Sequence, residues 1–164
     1  MDLIVRQAVE AGVRSIVPVS SARSIPEPSE PKLARWRRIA REALQQSGSA
    51  HLPDIGEPVT LRKAAGIDRR GGLGLVFHQE RVAAGSLHGA LFQDAGAAER
   101  GAFILIGPEG GLAEDEVDIL LEAGFRPVHL GGTVLRVETA AVYAIAAVMT
   151  ILRERDTWTA SNRT

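Results

Sequence analysis

The chain has 164 residues, which suits one domain with a sizeable core; 45% of them are apolar but only 4% aromatic, so the core should be aliphatic. Cysteine is absent, which excludes disulfides, zinc–thiolate sites and a cysteine nucleophile, and we expect a cytoplasmic protein without a metal site. The formal charge of −1 excludes nucleic-acid binding through global charge, so any such surface must be local.

The longest apolar run predicts a buried helix and no membrane segment. It covers residues 140–152, which is 13 residues and shorter than the roughly 20 that a membrane span requires. The amino terminus lacks the pattern of a secretory signal. A helix-like pattern starts abruptly at residue 3, so we expect that a further domain could precede this one.

The first elements are a helix and a strand. Apolar residues recur at helical spacing over residues 4–9, and Gly12 follows as a terminator. Residues 13–19 predict a buried strand, and residues 20–24 predict the loop at its carboxyl end. Three prolines between residues 26 and 31 predict a stiff connector.

A basic helix is predicted from residue 32. Beside its apolar stripe it carries five cations, and no carboxylate stands among them before Glu42. One interpretation is a solvated helix face. The other is a helix that contacts phosphates, because five cations without a pairing carboxylate exceed what solubility needs. The cations are Lys32, Arg35, Arg37, Arg38 and Arg41.

The second half alternates strands with helices. Buried strands are predicted over residues 73–77, 102–106 and 127–130, with weak helical character over residues 81–100. Helices are predicted after residue 113 and over residues 139–153. This alternation predicts an α/β fold, a mostly parallel sheet with helices on both faces. We expect a domain over residues 1–153 and a polar, disordered tail over residues 154–164.

The last helix is apolar nearly all round. It is rich in alanine and carries no polar face over residues 140–149. Such a helix is buried on all sides, which indicates either a central position or a subunit interface.

Two glycine-punctuated loops follow the last two strands. The first glycine loop (residues 104–112) reads ILIGPEGGL, and the second glycine loop (residues 130–140) reads LGGTVLRVETA. Each begins where a strand should end and leads into a helix. If the two strands are neighbours, the loops form a crevice of backbone amides, where open α/β sheets bind ligands. The alternative for either loop alone is a tight strand-to-helix turn.

The first glycine loop argues against a phosphate cradle. It lacks the Lys-Ser/Thr pair of a Walker loop, and its spacing differs from Gly-x-Gly-x-x-Gly. Glu109 places a carboxylate in the loop, which repels phosphate and suits hydroxyl, amino or cationic groups. In the second glycine loop, Arg136, Glu138 and Thr139 open an otherwise apolar helix. They could pair with each other or cap the helix, or they could require a polar partner.

In combination, the two loops resemble the signature of the RsmE-type methyltransferases. The upstream segments RWRRIA at residues 35–40 and QSG at residues 46–48 are similar to that family's basic helix. The resemblance implies the SPOUT superfamily fold, an α/β domain with a C-terminal trefoil knot. It also implies S-adenosyl-L-methionine as cofactor, ring N3 of a uridine in 16S ribosomal RNA of the small ribosomal subunit as acceptor, and a homodimer.

The resemblance also implies which residues form the site. The implied cofactor-binding residues are His78, Ile106, Gly107, Glu109, Gly110, Leu130, Gly131, Val134, Leu135, Thr139 and Ala140. For RNA binding the candidates are Arg23, Arg35, Arg38 and Arg41. We assign the chemistry to Arg136, which would stabilise the developing uridine anion, and to Glu138, which would orient Arg136 or take the proton.

The chain departs from the family in three places. The family's separate N-terminal barrel domain has no counterpart in this sequence, Ser49 stands where the family usually has Arg, and Thr133 stands where a basic residue is common. These departures affect the predicted RNA binding and not the predicted cofactor binding. They keep open a non-catalytic RNA-binding or dimerisation module of the same fold. A third alternative is a methyltransferase of the same superfamily acting on transfer RNA or another ribosomal site.

Overall fold

The fold is taken from a computed structural model that describes residues 1–24, 28–77, 85–131 and 133–161, with the backbone alone for residues 155–161. His78, predicted to bind the cofactor, lies outside the described residues. The first half of the chain combines two long helices with very short strands. In chain order its elements are α1 (Asp2–Ala11), β1 (Ser15–Ile16), β2 (Val19–Ser20), α2 (Glu30–Ser47), β3 (Asp54–Ile55), β4 (Val59–Thr60) and α3 (Leu61–Ala65).

Helices α1 and α2 pack on each other through one apolar cluster. Val5 and Val9 of α1 meet Leu33, Trp36 and further apolar residues of α2. Helix α1 ends where the sequence predicts, at Gly12, whose φ of 83° lies in the left-handed region that glycine favours.

The strand predicted over residues 13–19 is divided in two. Strand β1 pairs in parallel with β3, and β2 pairs in parallel with β4. Pro18 lies between β1 and β2, and Pro58 lies between β3 and β4. Because proline has no N–H to donate, each ladder is only two residues long.

The second half holds the main sheet and the helices that cover it. Its elements are β5 (Leu73–Phe77), α4 (Leu87–Gln93), α5 (Ala95–Arg100), β6 (Ala102–Ile106), α6 (Glu114–Glu122), β7 (Phe125–Val128) and α7 (Val137–Ser161). Strands β5 and β6 have the predicted bounds. Strand β7 begins two residues earlier than predicted, and α7 continues beyond residue 153, where the sequence predicts its end.

The main sheet is parallel, in the order β6-β5-β7. Leu73, Leu75 and Phe77 of β5 face a cluster that includes residues of α4, α5 and α7. Val76 faces the opposite way, into a cluster with residues of α3 and α6. Helices therefore cover both faces of the sheet, which confirms the predicted α/β architecture with parallel strands.

Helix α7 is only partly covered in the single chain. Ala141, Ala144 and Val148 are buried, whereas Tyr143 is 56% exposed. The central position is therefore excluded, because the single chain does not cover this helix on all sides, and the subunit interface stays a prediction. Among the described residues, no helix combines the length and apolar character needed to cross a membrane.

Candidate functional site

A cleft of about 300 Å³ lies at the carboxyl edge of the main sheet. The loops after β6 and β7 form its two walls, and the end of β5 lies between them, because β6 and β7 flank β5. The two loops thus meet across the end of a central strand, not at the ends of adjacent strands. The lining residues are Phe77, Ile106, Gly107, Pro108, Gly111, Leu112, His129, Leu130, Gly131, Thr133, Val134, Leu135, Val137 and Ala140.

The first glycine loop turns back onto the core through Leu112. The Gly111 N–H donates to the Pro108 carbonyl over 2.8 Å, and Gly111 has a φ of 72°. Leu112 is 5% exposed and packs with the cluster between the sheet and α6. A Cβ added at Gly107 would lie 3.1 Å from Leu112 Cγ, so a side chain there would push this wall out of place.

The second glycine loop presents aliphatic groups to the cleft. Gly131 has a φ of 121°, and its N–H donates to His129 Nδ1 over 3.3 Å. Val134 is 77% exposed, although it also lines the cleft. The Ala140 N–H donates to the Arg136 carbonyl over 2.8 Å as α7 begins.

Most of the predicted cofactor residues line the cleft. These are Ile106, Gly107, Leu130, Gly131, Val134, Leu135 and Ala140. Glu109, Gly110 and Thr139 are exposed and do not belong to the lining. A role in holding a cofactor stays a prediction for all of them.

Sequence reasoning missed several lining residues. Pro108, Gly111 and Leu112 lie in the first glycine loop itself, so their membership could have been inferred from that motif. Phe77 required knowledge of the strand order, because only the central position of β5 brings its end between the two walls. His129, the residue before the second glycine loop, carried no sequence signal.

The two predicted catalytic residues lie beside the lining and do not belong to it. Arg136 and Glu138 alternate with Leu135 and Val137, which do line the cleft. Arg136 is exposed and forms no ion pair among the described residues, with Glu138 or otherwise. The Glu138 Oε1 atom lies 3.8 Å from the amino nitrogen of Met1. Since Arg136 is not buried, its charge does not by itself require a partner, contrary to the sequence argument.

The cations of α2 are mostly paired, which corrects the prediction that they lack carboxylate partners. Arg35 binds Asp2 of α1, and Arg38 Nε lies 3.6 Å from Glu42 Oε1. Arg37 binds Glu30 and Glu57, and the hydrogen bond to Glu57 raises the pKa of Arg37 above its ordinary value. Asp2 and Glu57 come from other segments, so the sequence of the helix alone did not reveal them.

Arg41 and Arg23 differ from these paired cations. Arg41 is exposed and has no ion-pair partner among the described residues. Arg23 Nη1 donates to the Gly110 carbonyl over 2.9 Å, so its side chain lies on the first glycine loop. The predicted RNA-binding residues are therefore divided between α2 and the rim of the first glycine loop.

The RNA methyltransferase domain family matches residues 1–149. The chain therefore belongs to this family. It is 33% identical to the ribosomal RNA small subunit methyltransferase E of Synechocystis sp. over 91% of this chain and 48% of that protein. It is 34% identical to the Mycobacterium tuberculosis protein of the same name over 90% of this chain and 57% of that protein. The resemblance predicted from the two loops is confirmed, and the chain spans about half the length of these relatives.

Two similar solved structures contain the cofactor that the resemblance implies. One is a ribosomal RNA small subunit methyltransferase E from Neisseria gonorrhoeae bound to S-adenosyl methionine, with a TM-score of 0.79 and 36% identity over 92% of this chain and 60% of that one. The other is a putative methyltransferase from Legionella pneumophila in complex with the same cofactor. Its TM-score is 0.79, with 27% identity over 92% of this chain and 60% of that one.

Proposed function

We propose that this chain is the catalytic domain of an S-adenosyl-L-methionine-dependent methyltransferase that modifies ring N3 of a uridine in 16S ribosomal RNA. The observation that carries the proposal is the cleft between the two glycine loops, in a chain whose relatives from N. gonorrhoeae and L. pneumophila have this cofactor bound in their structures. The names of the relatives support the small-subunit RNA as substrate.

The lining of the cleft fits this cofactor better than it fits a phosphorylated nucleotide. It contains neither lysine nor arginine among the described residues, whereas phosphate sites use such cations or open helix amides. Its walls are aliphatic side chains and glycine backbone, which suit a flat ring and a short aliphatic chain. Ile106, Leu130 and Leu135 would hold the adenosine, and Gly107 and Gly131 would let the backbone approach it closely.

When bound, S-adenosyl-L-methionine supplies a methyl group on a positively charged sulphur. The residues of this chain would position the uridine against that group and exclude water from the cleft. Arg136, beside the lining residues Leu135 and Val137, would stabilise the negative charge that develops as uridine N3 loses its proton. Glu138 would orient Arg136 or accept that proton.

We also propose the trefoil knot of the SPOUT fold and a homodimer for this chain. Support for the dimer comes from the uncovered apolar side of α7, with Tyr143 56% exposed, and from Val134, 77% exposed at the rim of the cleft. A second copy seated on α7 would shield Tyr143 from water, and one seated over the rim of the cleft would shield Val134.

The decisive experiment tests cofactor binding and substrate identity in two separate steps. Calorimetry should detect binding of S-adenosyl-L-methionine to the folded chain. Radiolabelled cofactor should then transfer its methyl group to small ribosomal subunits that lack N3-methyluridine, and mass spectrometry should find one new N3-methyluridine. A folded chain that binds no cofactor would support the non-catalytic alternative, and methylation of another base or RNA would refute the proposed substrate.

A further inference from the structure

Glu116 is the one charged side chain that is buried among the described residues, being 7% exposed. A buried carboxylate is costly unless hydrogen bonds compensate its lost hydration. Glu116 lies in the first turn of α6, where the sequence indicates only an acidic residue that suits the helix dipole. Its burial therefore calls for specific partners.

The two oxygens of Glu116 accept hydrogen bonds from two distant segments. Oε2 accepts from the Ala113 N–H over 3.0 Å, which satisfies an amide at the start of α6. Oε1 accepts from the Ala22 N–H over 2.7 Å, although Ala22 precedes Glu116 by 94 residues. One carboxylate thus joins the start of α6 to the turn after β2.

That turn, the serine turn (residues 21–24), is closed by its own hydrogen bonds. The Ser24 N–H donates to the Ser21 carbonyl over 3.1 Å, and the Ser21 N–H donates to Ser24 Oγ over 3.0 Å. Arg23 projects from it onto the first glycine loop and donates to the Gly110 carbonyl over 2.9 Å. A Cβ added at Gly110 would lie 3.3 Å from Arg23 Cβ, so the two segments are in close contact.

The first glycine loop is therefore held between the serine turn and the cleft. Gly110 contacts Arg23, while the next two residues, Gly111 and Leu112, line the cleft. Glu116 fixes the serine turn from the buried side, and Arg23 fixes it from the exposed side. A shift of the serine turn would move the loop that forms one wall of the cleft.

We propose that Glu116 and Arg23 are positioning residues. Through the serine turn they hold in place the first glycine loop, which forms one wall of the cleft. Neither lines the cleft, so both act through the first glycine loop. The inference rests on the proposed function in so far as the ligand of the cleft is S-adenosyl-L-methionine. It extends that function by naming residues outside the two glycine loops that hold the first glycine loop in position.

The test compares two charge-removing substitutions in the same helical turn. Glu116→Gln keeps the shape but sets an amide N–H₂ against a backbone N–H, so the dissociation constant of S-adenosyl-L-methionine should rise about tenfold. Hydrogen exchange of the amides of residues 110–112 should also become faster. Glu114→Gln removes an exposed carboxylate from the same turn and should change neither.

A double variant separates positioning from helix stability. Ala113→Ser supplies the hydroxyl that the N-cap of α6 lacks, worth about 1 kcal/mol in other helices. Combined with Glu116→Gln, it should recover the melting temperature while the cofactor affinity stays reduced, because the new hydroxyl supplies the helix start and gives no acceptor to the Ala22 N–H. Recovery of both would show a merely structural role and overturn the proposal, as would unchanged affinity and exchange in Glu116→Gln.

The remaining outcomes are also decisive. If Glu116→Gln does not fold, Arg23→Ala replaces it, because Arg23 is exposed, and unchanged exchange at residues 110–112 would then overturn the proposal. If the unmodified chain binds no S-adenosyl-L-methionine, the proposed function fails. The hydrogen exchange of the same variants would still show whether Glu116 and Arg23 position the loop.

Discussion

At the scale of single residues, the sequence predicted which residues line the cleft better than it predicted the surroundings of the catalytic candidates. The glycine loops at strand ends predicted a crevice, the family resemblance implied Ile106, Gly107 and Gly131 as binding residues, and all three line the cleft. This succeeded because a positive φ or a close neighbouring atom excludes a side chain, so glycine stands at such positions and can be read from the sequence. The exposure and the ion pairing of Arg136 could not be predicted in the same way, because both depend on segments that are distant in the sequence.

Arg136 gives the test of the chemistry. Arg136→Ala should reduce the single-turnover rate of methyl transfer by about 100- to 1000-fold, the usual loss when one donor to a developing anion is removed. The affinity for S-adenosyl-L-methionine should stay within about twofold, because Arg136 does not line the cleft. Rapid-quench kinetics with labelled cofactor measure the rate.

The control for Arg136 is Arg70→Ala. Arg70 is exposed in the turn before β5, at the opposite edge of the parallel sheet, so its removal subtracts the same charge far from the cleft. It should leave the rate unchanged. Equal rates for Arg136→Ala and the unmodified chain would remove Arg136 from the mechanism.

At the scale of elements, strands were predicted well where the apolar run is continuous. Strands β5 and β6 are short apolar runs that pair in parallel, and their bounds match the prediction. The run over residues 13–19 carries Arg14, Ser15 and Pro18 among its apolar residues, and two short ladders replace one strand. The prolines are visible in the sequence. The strand register, which places them between the two ladders, is not.

Helix α2 offers a matched pair for RNA binding. Arg41 has no ion-pair partner among the described residues, whereas Arg38 is paired with Glu42. Arg41→Gln should flatten the slope of log affinity against log salt for small-subunit RNA by about 0.7 to 0.9, the loss of one phosphate contact. Arg38→Gln should flatten it less, because Glu42 already neutralises part of its charge.

Filter-binding titrations at several salt concentrations measure both slopes. If neither substitution changes the slope, α2 is a solvated face, the other interpretation of its sequence. If Arg38→Gln has the larger effect, the ion pairs do not determine which cations reach phosphate.

At the scale of the whole molecule, α7 connects the fold to assembly. It packs on α1, α4 and β6, yet Tyr143 remains 56% exposed. The sequence predicted a helix without a polar face, which is correct, but it could not distinguish burial inside one chain from burial between two. That distinction depends on which sides of the helix the rest of the chain reaches.

Substitution of Tyr143 tests the proposed homodimer. Tyr143→Glu places a charge on the uncovered side of α7 and should convert a dimer to a monomer with unchanged helical content. Light scattering after gel filtration measures the mass, and circular dichroism measures the helix. Leu52→Glu, at a residue 48% exposed in the loop before β3, is the matched control and should remain dimeric. A dimer that persists in Tyr143→Glu would place the interface elsewhere.

The hydrogen bond between Ala22 and Glu116 has a consequence for the order in which the cleft is completed. Among the described residues, 106–140 supply every lining residue except Phe77, so most of this lining arises from one short stretch of chain. Its outer support comes from a turn 94 residues upstream, which is synthesised before the cleft-forming stretch. During synthesis the serine turn emerges well before α6, and contacts so distant in sequence form slowly. The cleft should therefore acquire its final shape only when the two halves of the chain dock, late in folding.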